Sequence, residues 1–146
     1  MQLYRYFRWL SLDVVLGAIV FLEFLRSVYE LVMPVTVYLA LAIAVWLIYT
    51  VDHLIDSENS QSSDPRRQFH QIHYRKFILF TGIAAVAGLI NIYYLPVEVI
   101  RSGSILAACC ITYLMLVYFV PRLWFKELIV AAGYATGIFL APISLM

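Results

Sequence analysis

Four long stretches of this chain contain no charged residue: 31–51, 77–97, 102–121 and 128–146. Each is close to the roughly 20 apolar residues that a helix needs to cross a bilayer core. Inside lipid the backbone has no water to bond with, so such a segment satisfies its amides and carbonyls by becoming helical. The fold class that follows is an all-α, polytopic transmembrane bundle, read as a single domain over 1–146. Composition agrees, with 64% hydrophobic and 13% charged residues and a mean hydropathy of +0.87, well outside the range of soluble domains. The net charge of +1 is not gathered into a basic run with a polar face, and no nucleic-acid partner is expected.

A fifth stretch, 12–29, is interrupted by Glu23 and Arg26. These lie three apart on one helical face, where they can pair, or Arg26 can reach toward the headgroups. Counting it gives about five spans: 12–29, 31–51, 77–97, 102–121 and 128–146. The basic residues test this count, because cytoplasmic flanks are enriched in Lys and Arg. With the N-terminus inside, Arg5, Arg8, Arg66, Arg67, Arg75, Lys76, Arg122 and Lys126 fall on inner flanks, and only Arg26 and Arg101 on outer ones. The expected topology therefore has a cytoplasmic N-terminus and a cytoplasmic loop over 52–76, in a cytoplasmic or inner membrane.

The opening M-Q-L-Y-R-Y-F-R-W-L places two arginines before an apolar stretch, as a signal peptide does, but no small-residue cleavage site follows and a membrane span does. Cys109 and Cys110 are adjacent within a span and are expected to behave as small apolar residues. Pro34 and Pro142 stand near span ends, where they are tolerated. Gly82, Gly88, Gly133 and Gly137 permit close helix contacts, the last two in G-Y-A-T-G, read as packing within the bundle rather than a dimer face. Most tyrosines and tryptophans fall near span ends, as interfacial anchors do.

Against this apolar background, 49–76 gathers Asp52, Asp56, Glu58 and Asp64, four basic residues and His53, His70 and His73. Asp52 and Asp56 are one helical turn apart where the second span ends. If the helix continues, both carboxylates share a face, about 5–6 Å apart at Cβ. They repel each other, and the negative end of the helix dipole adds to the repulsion. A bound cation, a nearby arginine, or water and salt can each relieve it, and for an isolated D-x-x-x-D solvation is the commoner answer. Magnesium becomes attractive where phosphate is present, since it takes one or two carboxylates plus substrate oxygens. Arg66 and Arg67 can bind phosphate oxygens through charge-assisted bonds, with His70, Arg75 and Lys76 as further donors. Basic residues on inner flanks are also ordinary in membrane proteins whatever they do. Zinc, serine-hydrolase and nucleotide-loop motifs are absent from the sequence.

The stretch I-Y-T-V-D-H-L-I-D followed by S-D-P-R-R-Q resembles the first signature of the UbiA superfamily of intramembrane prenyltransferases, N-D-x-x-D-x-x-x-D with a loop rich in Asp, Pro and Arg. Asp52 and Asp56 match its third and fourth positions, while Ile48 and Tyr49 replace the leading Asn and Asp. P-R-L-W-F-K-E-L-I-V-A-A-G-Y-A-T-G is similar to the family's short loop with a basic residue, here Lys126, before the fifth helix. A second aspartate-rich motif is missing, since no aspartate follows Asp64.

The resemblance implies the N-terminal half of a UbiA-like bundle. It implies Mg held by Asp52 and Asp56, and a polyprenyl diphosphate whose diphosphate is met by Arg66, Arg67 and Lys126. The activity implied is transfer of the isoprenyl group to an aromatic or other acceptor. Three readings stay open: part of a transferase completed by a separate C-terminal half, a non-catalytic protein or truncated remnant binding lipid diphosphate or a partner, and an unrelated five-span protein. A half-bundle would expose cavity-lining surface, so association with a second half or as a homo-oligomer is expected. The end of the chain within an apolar run is read as that of a fragment.

Overall fold

The computed structural model describes residues 2–58, 69, 71–119 and 126–146. Among them are six helices and no strand: α1 (Gln2–Trp9), α2 (Leu12–Val28), α3 (Val35–Glu58), α4 (Tyr74–Ile92), α5 (Val97–Phe119) and α6 (Lys126–Leu145). Four of these, α3 to α6, contain segments long and apolar enough to cross a membrane. The chain is an integral membrane protein with an all-helical, polytopic architecture.

The first expected span is shorter than its neighbours. At 17 residues α2 extends only about 26 Å, a little less than a bilayer core. It carries Asp13 as well as Glu23 and Arg26, so four helices, not five, meet both length and composition. Local backbone geometry sets its limits. Ser11 takes a left-handed conformation, with φ of 55°, and breaks α1 from α2. At the other end the amide of Leu31 donates to the carbonyl of Arg26 across Glu30, whose φ is 52°. This six-to-one closure caps the helix and is usually built on glycine.

Charge-free boundaries also misplace the other helices. α3 starts at Val35, four residues later than expected, because the residue before a proline is disfavoured in helical conformation and Pro34 intervenes. It then continues through Glu58, so 52–58 belongs to a helix and not to the expected loop. Pro96 separates α4 from α5, and α5 takes in Glu98 and Arg101. An acid in the first turn interacts favourably with the helix dipole, so Glu98 begins the helix instead of preceding it.

The largest cluster of buried side chains is built mainly by three helices. Ala18, Leu22 and Leu25 of α2 meet Val37, Leu41 and Val45 of α3 and Ile138 and Ala141 of α6, joined by Val99 of α5. Spacings of three and four residues keep each set on one helix face. α4 packs mainly on α3, and α5 packs on α6 and α3. Large apolar side chains remain outside, among them Val20, Phe24, Ile83, Leu89, Ile105 and Met115. In water such a surface would drive association; in a bilayer it faces lipid.

Polar bonds tie the helix ends. Asn91 Nδ2 donates to the carbonyl of Thr36 at 2.8 Å, and Thr36 Oγ1 donates to that of Tyr94 at 3.1 Å, joining α3 to the α4–α5 turn. The Ser144 hydroxyl donates to that of Ser102 at 2.9 Å between α6 and α5. Glu23 and Arg26 do pair, at 2.6 Å, and the Tyr38 hydroxyl also donates to Glu23. Trp46 Nε1 donates to the carbonyl of Leu10 at 3.1 Å, fastening the α1–α2 joint to α3.

Candidate functional site

α3, α5 and α6 do not close on one another along their whole length. Between them lies a cleft of about 340 Å³, with Leu41, Val45, Ile48 and Tyr49 on α3, Leu106, Cys109, Cys110 and Tyr113 on α5, and Ile129, Gly133, Tyr134 and Gly137 on α6. Leu41 to Tyr49 is eight residues of helix, so the cleft runs about 12 Å along the bundle. Its walls are mostly apolar. Both cysteines contribute to it, and Cys110 is half-buried.

One end of the cleft is polar. The Tyr113 hydroxyl, which belongs to the lining, donates to Asp52 Oδ1 at 3.2 Å. Asp52 sits three residues beyond Tyr49, half-buried, in the last two turns of α3. Toward this C-terminal end the helix dipole makes a negative charge less favourable. A hydroxyl donor from α5 offsets part of that penalty. Asp56 lies one turn further along the same helix, which continues to Glu58, so the two positions share a face.

Three tyrosines line the cleft from this end to its middle. Tyr49 and Tyr134 approach edge to face, with centroids 6.5 Å apart, and Tyr49 also lies 6.4 Å from His53. The Tyr134 hydroxyl donates to the carbonyl of Val14 at 3.2 Å. Tyr49, Tyr113 and Tyr134 therefore line an interior cleft, unlike the membrane-surface anchors that span-end aromatics suggest. Tyr113 is the residue that sequence reasoning missed. Sixty-one positions separate it from Asp52, and no local pattern distinguishes it from the other tyrosines.

Of the expected site residues, the structure places Asp52 fully, and Asp56 and Lys126 by their helix positions only. Asp56 is in the last turn of α3 and Lys126 is the first residue of α6, at the same end of the bundle. Arg66, Arg67 and His70 lie outside the described residues, as do the side chains of Asp56 and Lys126. Among the described residues no three or more His, Cys, Asp or Glu side chains come together as a metal-binding group.

The described basic residues divide between the two ends of the bundle. Arg8 on α1 and Arg75 and Lys76 at the start of α4 share the Asp52 end, whereas Arg26 and Arg101 are at the other. An aromatic cluster of Tyr6, Trp9, Phe69, His73 and Phe77 holds α1 across this end, with ring centroids 4.7 to 5.8 Å apart. No family model, curated protein or solved structure matches this chain.

Proposed function

We propose that this protein binds a polyprenyl diphosphate, with its isoprenoid tail in the α3–α5–α6 cleft and its diphosphate at the Asp52 end, as the UbiA-like part of a prenyl-transferring enzyme. The observation that carries this reading is the junction of an apolar cleft with the Asp52–Tyr113 pair. A lipid diphosphate has the same division into a long apolar part and a charged head. The basic residues at that end support reading it as the cytoplasmic one.

The donor set suits magnesium. Two carboxylate positions one turn apart leave room for substrate phosphate oxygens and water, the usual share of ligands for this ion. Asp52 and Asp56 would hold Mg, which when bound supplies positive charge to the diphosphate and neutralises the carboxylate pair. Arg66, Arg67 and Lys126 would donate hydrogen bonds to the diphosphate as it leaves. In the transfer, the allylic C–O bond breaks with its electron pair going to the diphosphate, the acceptor forms a bond to the allylic carbon, and the acceptor then loses a proton. Tyr49, Tyr113 and Tyr134 would present ring faces to the cationic allylic carbon.

One feature of the cleft favours a second reading, binding without turnover. Ile48 and Tyr49 occupy the positions where the resembling motif has Asn and Asp, and both are part of the cleft wall. They add apolar surface where metal ligands would otherwise stand. Catalysis on this reading requires oxygen ligands from a second half, and without it the protein is a lipid-diphosphate binder.

The test is binding of farnesyl diphosphate to protein purified in mild detergent, with and without magnesium. Wild type should bind with magnesium and lose at least roughly tenfold in affinity in Asp52→Asn/Asp56→Asn, within the usual range for disrupted metal sites. Tyr113→Phe should weaken binding less, because it removes a donor to Asp52 and leaves the carboxylate in place. Absence of binding, or binding indifferent to magnesium and both aspartates, would return the acidic pair to a solvated membrane surface.

A further inference from the structure

The glycines of this bundle fall into distinct environments. A Cβ at Gly17 would stand 3.2 Å from the Tyr134 hydroxyl, and one at Gly88 would stand 3.2 Å from Ile43 Cγ2. These two permit close helix contact. A Cβ at Gly137 would make ordinary contacts of 3.7 and 3.9 Å with Leu106 and Leu41. Gly133 differs from all three. It is half-buried and lines the cleft, yet a Cβ there would meet nothing within 4 Å. Gly82 and Gly103 also have open space, but neither lines the cleft.

Axial position gives that open space a consequence. Gly137 lies level with Leu41 and Leu106, at the end of the cleft remote from Asp52. Leu41 and Asp52 are eleven residues apart on α3, about 16 Å along the axis. Gly133 is one turn, about 6 Å, nearer the polar end than Gly137. A side chain at Gly133 would therefore stand across the middle of the cleft, about 10 Å from the level of Asp52.

We infer that Gly133 determines the length of isoprenoid chain this protein accepts: its missing side chain keeps the distal half of the cleft open. The inference rests on the prenyl-diphosphate reading and assigns it a specificity-determining position. A larger residue at 133 would leave the proximal cleft and the Asp52 end intact and would exclude the part of a chain that passes beyond it.

The experiment compares wild type, Gly133→Ala, Gly133→Val and Gly133→Leu, with Gly82→Leu as a control outside the cleft. Affinities are measured in detergent with magnesium for dimethylallyl, geranyl, farnesyl and geranylgeranyl diphosphate. Wild type should gain affinity with each added unit until the cleft is filled. The longest chain that benefits should then shorten as residue 133 grows, with a loss of roughly tenfold or more for long donors and little change for the shortest. Gly82→Leu should match wild type. The graded series keeps the test valid if the leucine variant fails to fold, since the alanine and valine variants report the same trend. Wild-type binding with an unchanged length profile in the variants would overturn the role of Gly133 and leave the binding reading standing. No binding of any donor to wild type would overturn both.

Discussion

The helix pair α3 and α6 has a different neighbour on each side, and the two sides pack in opposite ways. On one, α2 fills the angle so closely that Ala18 and Leu22 are 0% and 1% exposed. On the other, α5 leaves a cleft open enough to contain a small apolar ligand. Small residues occur on both sides. Gly17 allows the Tyr134 hydroxyl to reach the carbonyl of Val14, whereas Gly133, one residue before Tyr134, faces empty space. The same residue type brings helices together on one side and holds volume open on the other. In lipid, where helix association depends on close packing more than on escape from water, this contrast separates a closely packed face from an open one.

Truncating a side chain on each side should separate the two faces most strongly. Leu22→Ala opens a cavity where the helices are closest and is expected to destabilise by about 2–5 kcal/mol. Ile48→Ala, on the cleft wall, should cost less than half as much because that surface already borders open space. Unfolding of both variants by a graded denaturing detergent checks the difference, and equal losses would mean that the cleft is closed in the folded protein.

A smaller effect is expected from adding bulk. Gly17→Val would displace the Tyr134 hydroxyl and cost about 1–3 kcal/mol, in the range for overpacked interiors. Gly133→Val should leave the midpoint of thermal unfolding near that of wild type. A large loss at both positions would show that α5 and α6 pack more closely than the described cleft allows.

The smallest effect concerns neither face but the stop of α2 that positions them. Glu30 occupies a left-handed conformation that side chains disfavour, and Glu30→Gly should relieve roughly 1 kcal/mol of backbone strain, partly offset by the greater freedom of glycine in the unfolded chain. A modest rise in unfolding midpoint with unchanged ligand binding is the expected result. A fall would indicate that the Glu30 side chain itself contributes to the structure.

Much of the fold was legible because the membrane imposes one solution on long uncharged segments. The limits of those segments were less legible. Absence of charge is a proxy for depth in lipid, but helices end where the backbone demands it, at Pro34, at Pro96 and at the left-handed Glu30, and they carry charges such as Glu98 in their first turns. Within the candidate site, the one-turn spacing of Asp52 and Asp56 was readable, and continuation of α3 to Glu58 meets the condition that placed them on one face. Tyr113 was not readable, because its bond to Asp52 depends on how α5 crosses α3.

By itself the sequence determined that this protein is helical and embedded in a membrane, since apolar length and backbone hydrogen bonding in lipid leave no other form for α3 to α6. It also determined where charge could gather, because the long uncharged segments leave little room for it elsewhere. Only the tertiary structure decided which faces meet. Hydropathy does not distinguish an apolar residue against lipid from one against another helix, and it assigns the same character to the empty space beside Gly133 as to the close contact at Gly17. That distinction depends on interhelical distance, which is set by the packing of side chains far apart in the chain.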